Sequence, residues 1–164
     1  MRVGVVVAAV AVGAAVAACA PPEYVATDMI EPRASLGCVD VSVVGAWPGE
    51  STGPVAVVDL GSLCERGVAI DLRALRAVGI RTSDDVVTRV PLVAYDPHGE
   101  MGVRTLGPGA HGSEWIEFHP ADAIDSIDHL DVDAGAIVVG ELPSAAHLVV
   151  DVPPHHPMTA ADAR

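Results

Sequence analysis

The chain has 164 residues, of which 51% are hydrophobic and only 3% aromatic, and its formal net charge is −13. Because phosphate contacts need clustered Lys and Arg, a chain with 9 basic and 22 acidic side chains is not expected to bind nucleic acid. The few aromatic side chains argue against an aromatic-lined sugar or peptide groove and predict a core of Val, Ile, Leu and Ala.

The N-terminus has the pattern of an exported protein. Arg2 supplies a short positive region, and residues 3–18 contain only Val, Ala and Gly before Cys19. This apolar run is shorter than the roughly 20 residues of a membrane-spanning helix, and the Pro-Pro pair after Ala20 would end a helix soon after it. We therefore expect residues 1–18 to be a cleaved signal peptide.

The residues Val16-Ala17-Ala18-Cys19 resemble the lipobox of bacterial lipoproteins. The resemblance implies cleavage before Cys19 and acyl chains on that cysteine, which would hold the mature protein on a bilayer. Ala20 stands where an aspartate would favour retention in the inner membrane, so the resemblance favours the outer membrane of a Gram-negative cell. The alternative is an ordinary secreted protein in which Cys19 is an unpaired thiol.

The remaining chain divides into three parts. Residues 19–37 are polar, contain prolines and lack hydrophobic periodicity, which predicts a flexible tether behind the lipidated cysteine. Residues 38–157 have the strand and turn patterns of one folded domain, and residues 158–164 are expected to fray.

Two cysteines remain once Cys19 is assigned to the lipid. Cys38 and Cys64 would then be a pair in an oxidising compartment, where a disulfide is expected. No neighbouring residue indicates a lowered thiolate pKa, so a reactive cysteine is the less favoured interpretation.

Alternating or apolar runs separated by Pro and Gly turns predict an all-β domain. The runs span residues 39–43, 55–60, 68–73, 86–95, 100–106, 114–118, 136–140 and 147–152. Residues 74–80 fit a helix or a strand, and we favour a strand because the neighbouring elements are strands. Pro91 indicates an edge strand or bulge, and the last two runs are expected to pair as a hairpin.

About seven or eight short strands with one disulfide resemble an immunoglobulin-like, two-sheet antiparallel sandwich. The segments VAIDLRALRAVG at 68–79 and LVAYDPHGE at 92–100 also resemble small uncharacterised lipoproteins of GC-rich Gram-negative bacteria. This second resemblance implies no activity.

An acidic run suggests a cation site, because hard cations take several oxygen ligands. The run contains Asp122, Asp125, Asp128, Asp131 and Asp133. It departs from an EF-hand, since Gly135 comes one position early and no Glu stands at the twelfth position of the loop. The spacing also describes a short amphipathic helix or a solvated loop. A metal site formed by Asp125, Asp128, Asp131 and Asp133 is therefore only a secondary interpretation.

Other chemistry is poorly supported by the sequence. The histidines, including His119 and His129, lack the paired spacing of zinc ligands. There is no Gly-x-Ser-x-Gly elbow, and Ser62 and Ser113 lie beside turns, where serines commonly bond to nearby backbone groups. Residues 107–109 lack the Lys of a phosphate-binding loop, so no cofactor is expected.

These patterns predict a lipid-anchored cell-envelope protein that acts as a non-catalytic interaction or structural module. The membrane, through the N-terminal lipid, and another envelope protein would be its partners. The alternative is a cation-dependent binding or enzymatic domain, using calcium or zinc, built from residues 122–133 with His119 or His129.

Overall fold

The computed structural model of the protein describes residues 23–48, 51–120 and 126–155. These residues contain ten β-strands and two short 3-10 helices, Ala26–Asp28 and Leu72–Ala74. The strands are β1 (Arg33–Leu36), β2 (Val39–Ala46), β3 (Val55–Ser62), β4 (Val68–Asp71), β5 (Arg76–Ser83), β6 (Val86–Ala94), β7 (Val103–Leu106), β8 (His111–Pro120), β9 (His129–Asp133) and β10 (His147–Asp151). All strand pairs are antiparallel, so the predicted all-β antiparallel class is confirmed.

Eight strands form one sheet in the order β1-β2-β3-β8-β6-β5-β9-β10, while β4 and β7 form a separate ribbon. The large sheet curls until β10 reaches β2, where a Cβ added to Gly45 would overlap the carbonyl oxygen of Asp151. The domain is thus a nearly closed eight-stranded barrel, and the predicted two-sheet sandwich is wrong. Alternating strands bury one face in either architecture, so the pattern alone does not distinguish them.

The interior of the barrel is filled with aliphatic side chains, as the composition predicts. Ile127 lies over Gly79, where a Cβ would collide with the Ile127 side chain. The single Phe of the chain, Phe118, is completely buried. The largest fully buried apolar side chains are Phe118, Ile70, Leu72, Leu130, Ile137, Val39, Val41, Val43, Val58 and Val132.

The folded domain begins earlier than predicted. Tyr24 is buried with its ring against Gly61, and its backbone N–H donates to the carbonyl of Gly109 at 2.8 Å. Residues Arg33–Leu36 then pair with β2 as a strand. The prediction of a flexible tether as far as Gly37 is therefore wrong for the described residues from Tyr24 onward.

Buried Asp40 explains why this N-terminal segment is held on the domain. Its carboxylate accepts a hydrogen bond from the Tyr24 hydroxyl at 2.8 Å and another from the Ser35 hydroxyl at 2.5 Å. Burial, together with the hydrogen bond to Asp40, raises the pKa of Tyr24 to about 12. A buried carboxylate without such partners would be strongly destabilising, so the segment completes the fold.

The last hairpin contains a different strand from the one predicted. β10 pairs with β9, in which Leu130 and Val132 are completely buried, and not with residues 136–140. Those residues instead turn, and Val138 bridges to Ile70 of β4. The regular spacing of the Asp residues in the acidic run hid the alternation of Leu130 and Val132 with Asp131 and Asp133, which makes β9 a strand.

The middle of the chain, where the sequence fitted a helix or a strand, contains a short 3-10 helix followed by strands β5 and β6. β4 ends at Asp71, which caps the start of the 3-10 helix Leu72–Ala74. The Asp71 carboxylate accepts a hydrogen bond from the backbone N–H of Arg73 at 3.1 Å. β5 then begins at Arg76, so the preference for a strand is confirmed for residues 76–80, whereas Ala74 belongs to the 3-10 helix. β6 lies between β8 and β5 rather than at an edge, but its pairing with β8 begins only at Leu92, directly after Pro91.

Candidate functional site

The structure brings together one pair of residues that the sequence singled out. Cys38 and Cys64 form a disulfide with their Cα atoms 5.0 Å apart. The bond joins the turn before β2 to the loop after β3, so it links two adjacent strands at one end of the barrel. Cys19 lies outside the described residues, as do Asp122 and Asp125.

The described carboxylates of the acidic run have separate structural partners. Asp128 accepts the backbone N–H of Thr82 at 2.6 Å, and Asp133 accepts that of Gly135 at 2.9 Å. These bonds hold the Asp128 side chain against β5 and the Asp133 side chain against the turn that follows β9. Within residues 23–48, 51–120 and 126–155, no group of three or more His, Cys, Asp and Glu side chains could hold a metal ion.

Asp131, unlike Asp128 and Asp133, is held by two basic side chains. It is buried because Arg89 and His147 cover it, at 2.7 Å and 2.9 Å from its carboxylate oxygens. The hydrogen bond to Asp131 and the charge of its carboxylate raise the pKa of His147 above the ordinary value. His129 makes a separate contact to Asp151 at 2.8 Å. Asp131 therefore links strands β6, β9 and β10 through two basic side chains.

His119 belongs to a polar cluster with Thr52 and Glu117. Its Nε2 atom lies 2.8 Å from the Thr52 hydroxyl and 3.0 Å from a Glu117 carboxylate oxygen. Burial alone would raise the pKa of Glu117, but hydrogen bonds from His119 and Thr52 outweigh it and lower that pKa. A nucleophile relay needs the hydroxyl and the acid on opposite ring nitrogens, whereas here both contact Nε2. The cluster thus has the geometry of a structural network.

Next to this cluster lies an exposed apolar strip on the outer surface of the barrel. Val44, Val57 and Trp115 are direct cross-strand partners on β2, β3 and β8, so their side chains share one face. Trp115 is 66% exposed and Val44 is 38% exposed. Ile30, also exposed, lines a groove beside Val44. These four residues, Ile30, Val44, Val57 and Trp115, are termed the Trp115 strip.

Hydrogen-bonded polar side chains border the Trp115 strip on both sides. On one side the Ser113 hydroxyl donates to Asp59, its cross-strand partner. On the other side Glu117 is held in its cluster, and the ring of Tyr95 stacks on the His119 ring with centroids 4.0 Å apart. An apolar centre with a satisfied polar rim is the usual composition of a protein interface.

The strip could have been found from the sequence by a closer use of alternation. In residues 114–118 the buried Ile116 and Phe118 share one face, which leaves Trp115 on the opposite face beside Glu117. The low aromatic content argued against an aromatic-lined groove, but it did not address one exposed Trp on the outer surface of a sheet.

The chain matches no family model, and no curated protein or solved structure matches it. Among the residues that the structure describes, no helix has the length and apolar character needed to cross a membrane.

Proposed function

We propose that this protein is a lipid-anchored cell-envelope protein and a non-catalytic interaction module that binds another envelope protein through the Trp115 strip. The residues Val16-Ala17-Ala18-Cys19 support the lipid anchor, and Ala20 favours the outer membrane in a Gram-negative cell. The observation that carries the binding role is the exposure of Trp115 at the end of the apolar row that it forms with Val57 and Val44. Trp is among the residues most enriched in binding hot spots.

A partner bound at the Trp115 strip would cover a continuous apolar area. A Trp side chain offers a large rigid apolar surface, and covering it removes that surface from water at little conformational cost. Val57 and Val44 extend the surface across two further strands, so the contact area is continuous. The polar groups of the rim are already hydrogen-bonded, which limits the cost of desolvating them when a partner binds.

The surrounding groups support a non-catalytic role. The Thr52 hydroxyl, His119 and Glu117 meet at a single ring nitrogen and form no relay. The cation-dependent alternative gains no support from Asp128, Asp131 or Asp133, because each of the three is held by other groups. We therefore do not adopt that alternative.

Replacing Cys19 with Ala is expected to abolish incorporation of labelled fatty acid and to release the protein from the membrane fraction, because the attachment sulfur is lost. Metabolic labelling followed by membrane fractionation measures both effects. An Ala20→Ser variant keeps the cysteine and serves as the matched control, which should remain labelled. Undiminished labelling of the Cys19→Ala protein would refute the anchor.

A photo-crosslinking amino acid at Val44 is expected to capture a specific envelope protein in cells, and Trp115→Ala should strongly reduce that adduct. Loss of a hot-spot Trp costs about 2 kcal/mol or more, which is roughly a 30-fold loss of affinity. The exposure of Trp115 means that the same substitution should change the free energy of unfolding by no more than about 1 kcal/mol.

The control position for crosslinking is Val87, which is also exposed but lies on the β5–β6 hairpin. The same probe at Val87 should give no such adduct. Equal capture from Val44 and Val87, or capture from Val44 that Trp115→Ala leaves unchanged, would contradict the proposed binding surface.

A further inference from the structure

We infer that the disulfide end of the barrel rests on the lipid surface, with Leu63, Val139 and Leu142 in contact with the bilayer. The disulfide end is defined as residues 37–38, the loop 63–67 and residues 139–142. The inference rests on the proposed lipid anchor at Cys19 and adds to it an orientation and a second membrane contact.

The chain between the proposed anchor and the folded domain is short. The ring of Tyr24 is buried and its backbone N–H is bonded to Gly109, so the chain joins the domain at this residue. Only five residue steps separate Cys19 from Tyr24. A fully extended chain covers at most about 3.6 Å per residue, so the two residues lie at most about 18 Å apart. The point of entry into the domain must therefore stay near the membrane.

This entry point lies at the disulfide end of the barrel. Gly109, the partner of Tyr24, donates its own N–H to the carbonyl of Ser62 at 3.1 Å. Leu63, which follows Ser62, donates its backbone N–H to the carbonyl of Cys38 at 2.8 Å. Adjacent hydrogen-bonded strands lie about 5 Å apart, so these contacts place Tyr24 within a few strand spacings of the disulfide.

Large apolar side chains are exposed at the disulfide end. Leu142 is 91% exposed, Leu63 is 53% exposed and Val139 is 50% exposed. Leu63 and Val139 line one open hollow of about 630 Å³ beside the disulfide. Glu141 lies against Gly37, which brings the adjacent Leu142 to the same end. Moving such exposed apolar side chains from water into the lipid interface is favourable, because it lowers the free energy of the system.

The charges at the disulfide end indicate which lipid surface it fits. Glu65 and Glu141 accompany the single basic residue Arg66 in this region, and the whole chain has a net charge of −13. There is thus no local excess of basic residues to attract anionic lipid. The contact should therefore depend on the apolar side chains and occur on a neutral surface.

The proposed orientation leaves the Trp115 strip accessible. Val57 of the strip precedes Ser62, the end of β3, by five residues, which corresponds to about 17 Å along the strand. The side of the barrel that carries Trp115 is therefore set back from the lipid-facing end. One surface can contact the bilayer while another binds a protein.

The orientation can be tested with the acylated mature protein reconstituted in phosphatidylcholine vesicles, with and without brominated acyl chains. In L142W the added fluorescence is expected to be blue-shifted and largely quenched by the brominated lipid. V87W, at the exposed Val87 of the β5–β6 hairpin, is the matched control and should show neither effect. L63W is a second reporter at the disulfide end, so the test does not depend on the folding of one variant.

The outcomes separate the orientation from the anchor. Failure of the wild-type protein to float with the vesicles would refute the anchor itself. Flotation without quenching of L142W and L63W would overturn the orientation while leaving the anchor intact. A blue shift without quenching by brominated lipid would mean that a second copy of the chain covers these side chains, which also overturns the inference.

Discussion

Removing the disulfide through the double substitution Cys38→Ala and Cys64→Ala is expected to lower the free energy of unfolding by roughly 3 to 4 kcal/mol. The two cysteines are 26 residues apart in sequence, and cross-linking a loop of that length removes conformational freedom from the unfolded chain. The bond also joins two segments that are already close, since Leu63 donates to the carbonyl of Cys38 at 2.8 Å. The native state should therefore change little while the unfolded state gains entropy.

Urea denaturation of the wild type and the double variant measures this difference. For a domain of this size, a loss of that magnitude corresponds to a melting temperature lower by roughly 10 to 15 °C. Chemical reduction of the wild-type protein is the control and should reproduce the shift without any substitution. A difference below about 1 kcal/mol would mean that the bond contributes almost nothing to the fold.

Gly45→Ala is expected to destabilise the protein by about 2 to 4 kcal/mol, because the barrel has no space for a side chain at its closing seam. A Cβ at this position would overlap the backbone carbonyl of Asp151 and lie close to the Val150 side chain. Backbone cannot rotate away as a flexible side chain can, so β2 and β10 would have to separate. The measurement is again denaturant unfolding.

Gly112→Ala is the matched control for this substitution. Gly112 also lies in a strand, β8, but a Cβ there would meet nothing within 4 Å, so the expected change is within about 0.5 kcal/mol. Equal stability of the two variants would mean that β2 and β10 do not pack closely, and the nearly closed barrel would have to be abandoned.

Local alternation predicted much of the strand content but not the way the strands assemble. Val39, Val41 and Val43 alternate and are all buried, so β2 was readable from the sequence alone. Whether such strands form two packed sheets or one curled sheet depends on contacts between distant segments, such as the approach of Gly45 to Asp151. No pattern within a short window contains that information.

The ordering of the N-terminal segment was hidden for a related reason. Tyr24 and Ser35 look like ordinary tether residues until Asp40 is known to be buried beneath them. The disulfide was predictable because the export pattern and the cysteine count left one pairing. Alternation within β8 could have placed Trp115 on the outer face, but its apolar row with Val57 and Val44 crosses three strands, and no single strand shows that row.

The seam between β2 and β10 also constrains the order of events during biogenesis. Of the strands that the structure describes, β2 is among the first to be synthesised and β10 is the last. They contact each other although most of the domain separates them in the sequence. Closure of the barrel must therefore await the emergence of the C-terminal strand, whatever has formed before it. Contacts between such distant segments form slowly, so closure of this seam is expected to be a late and slow step of folding.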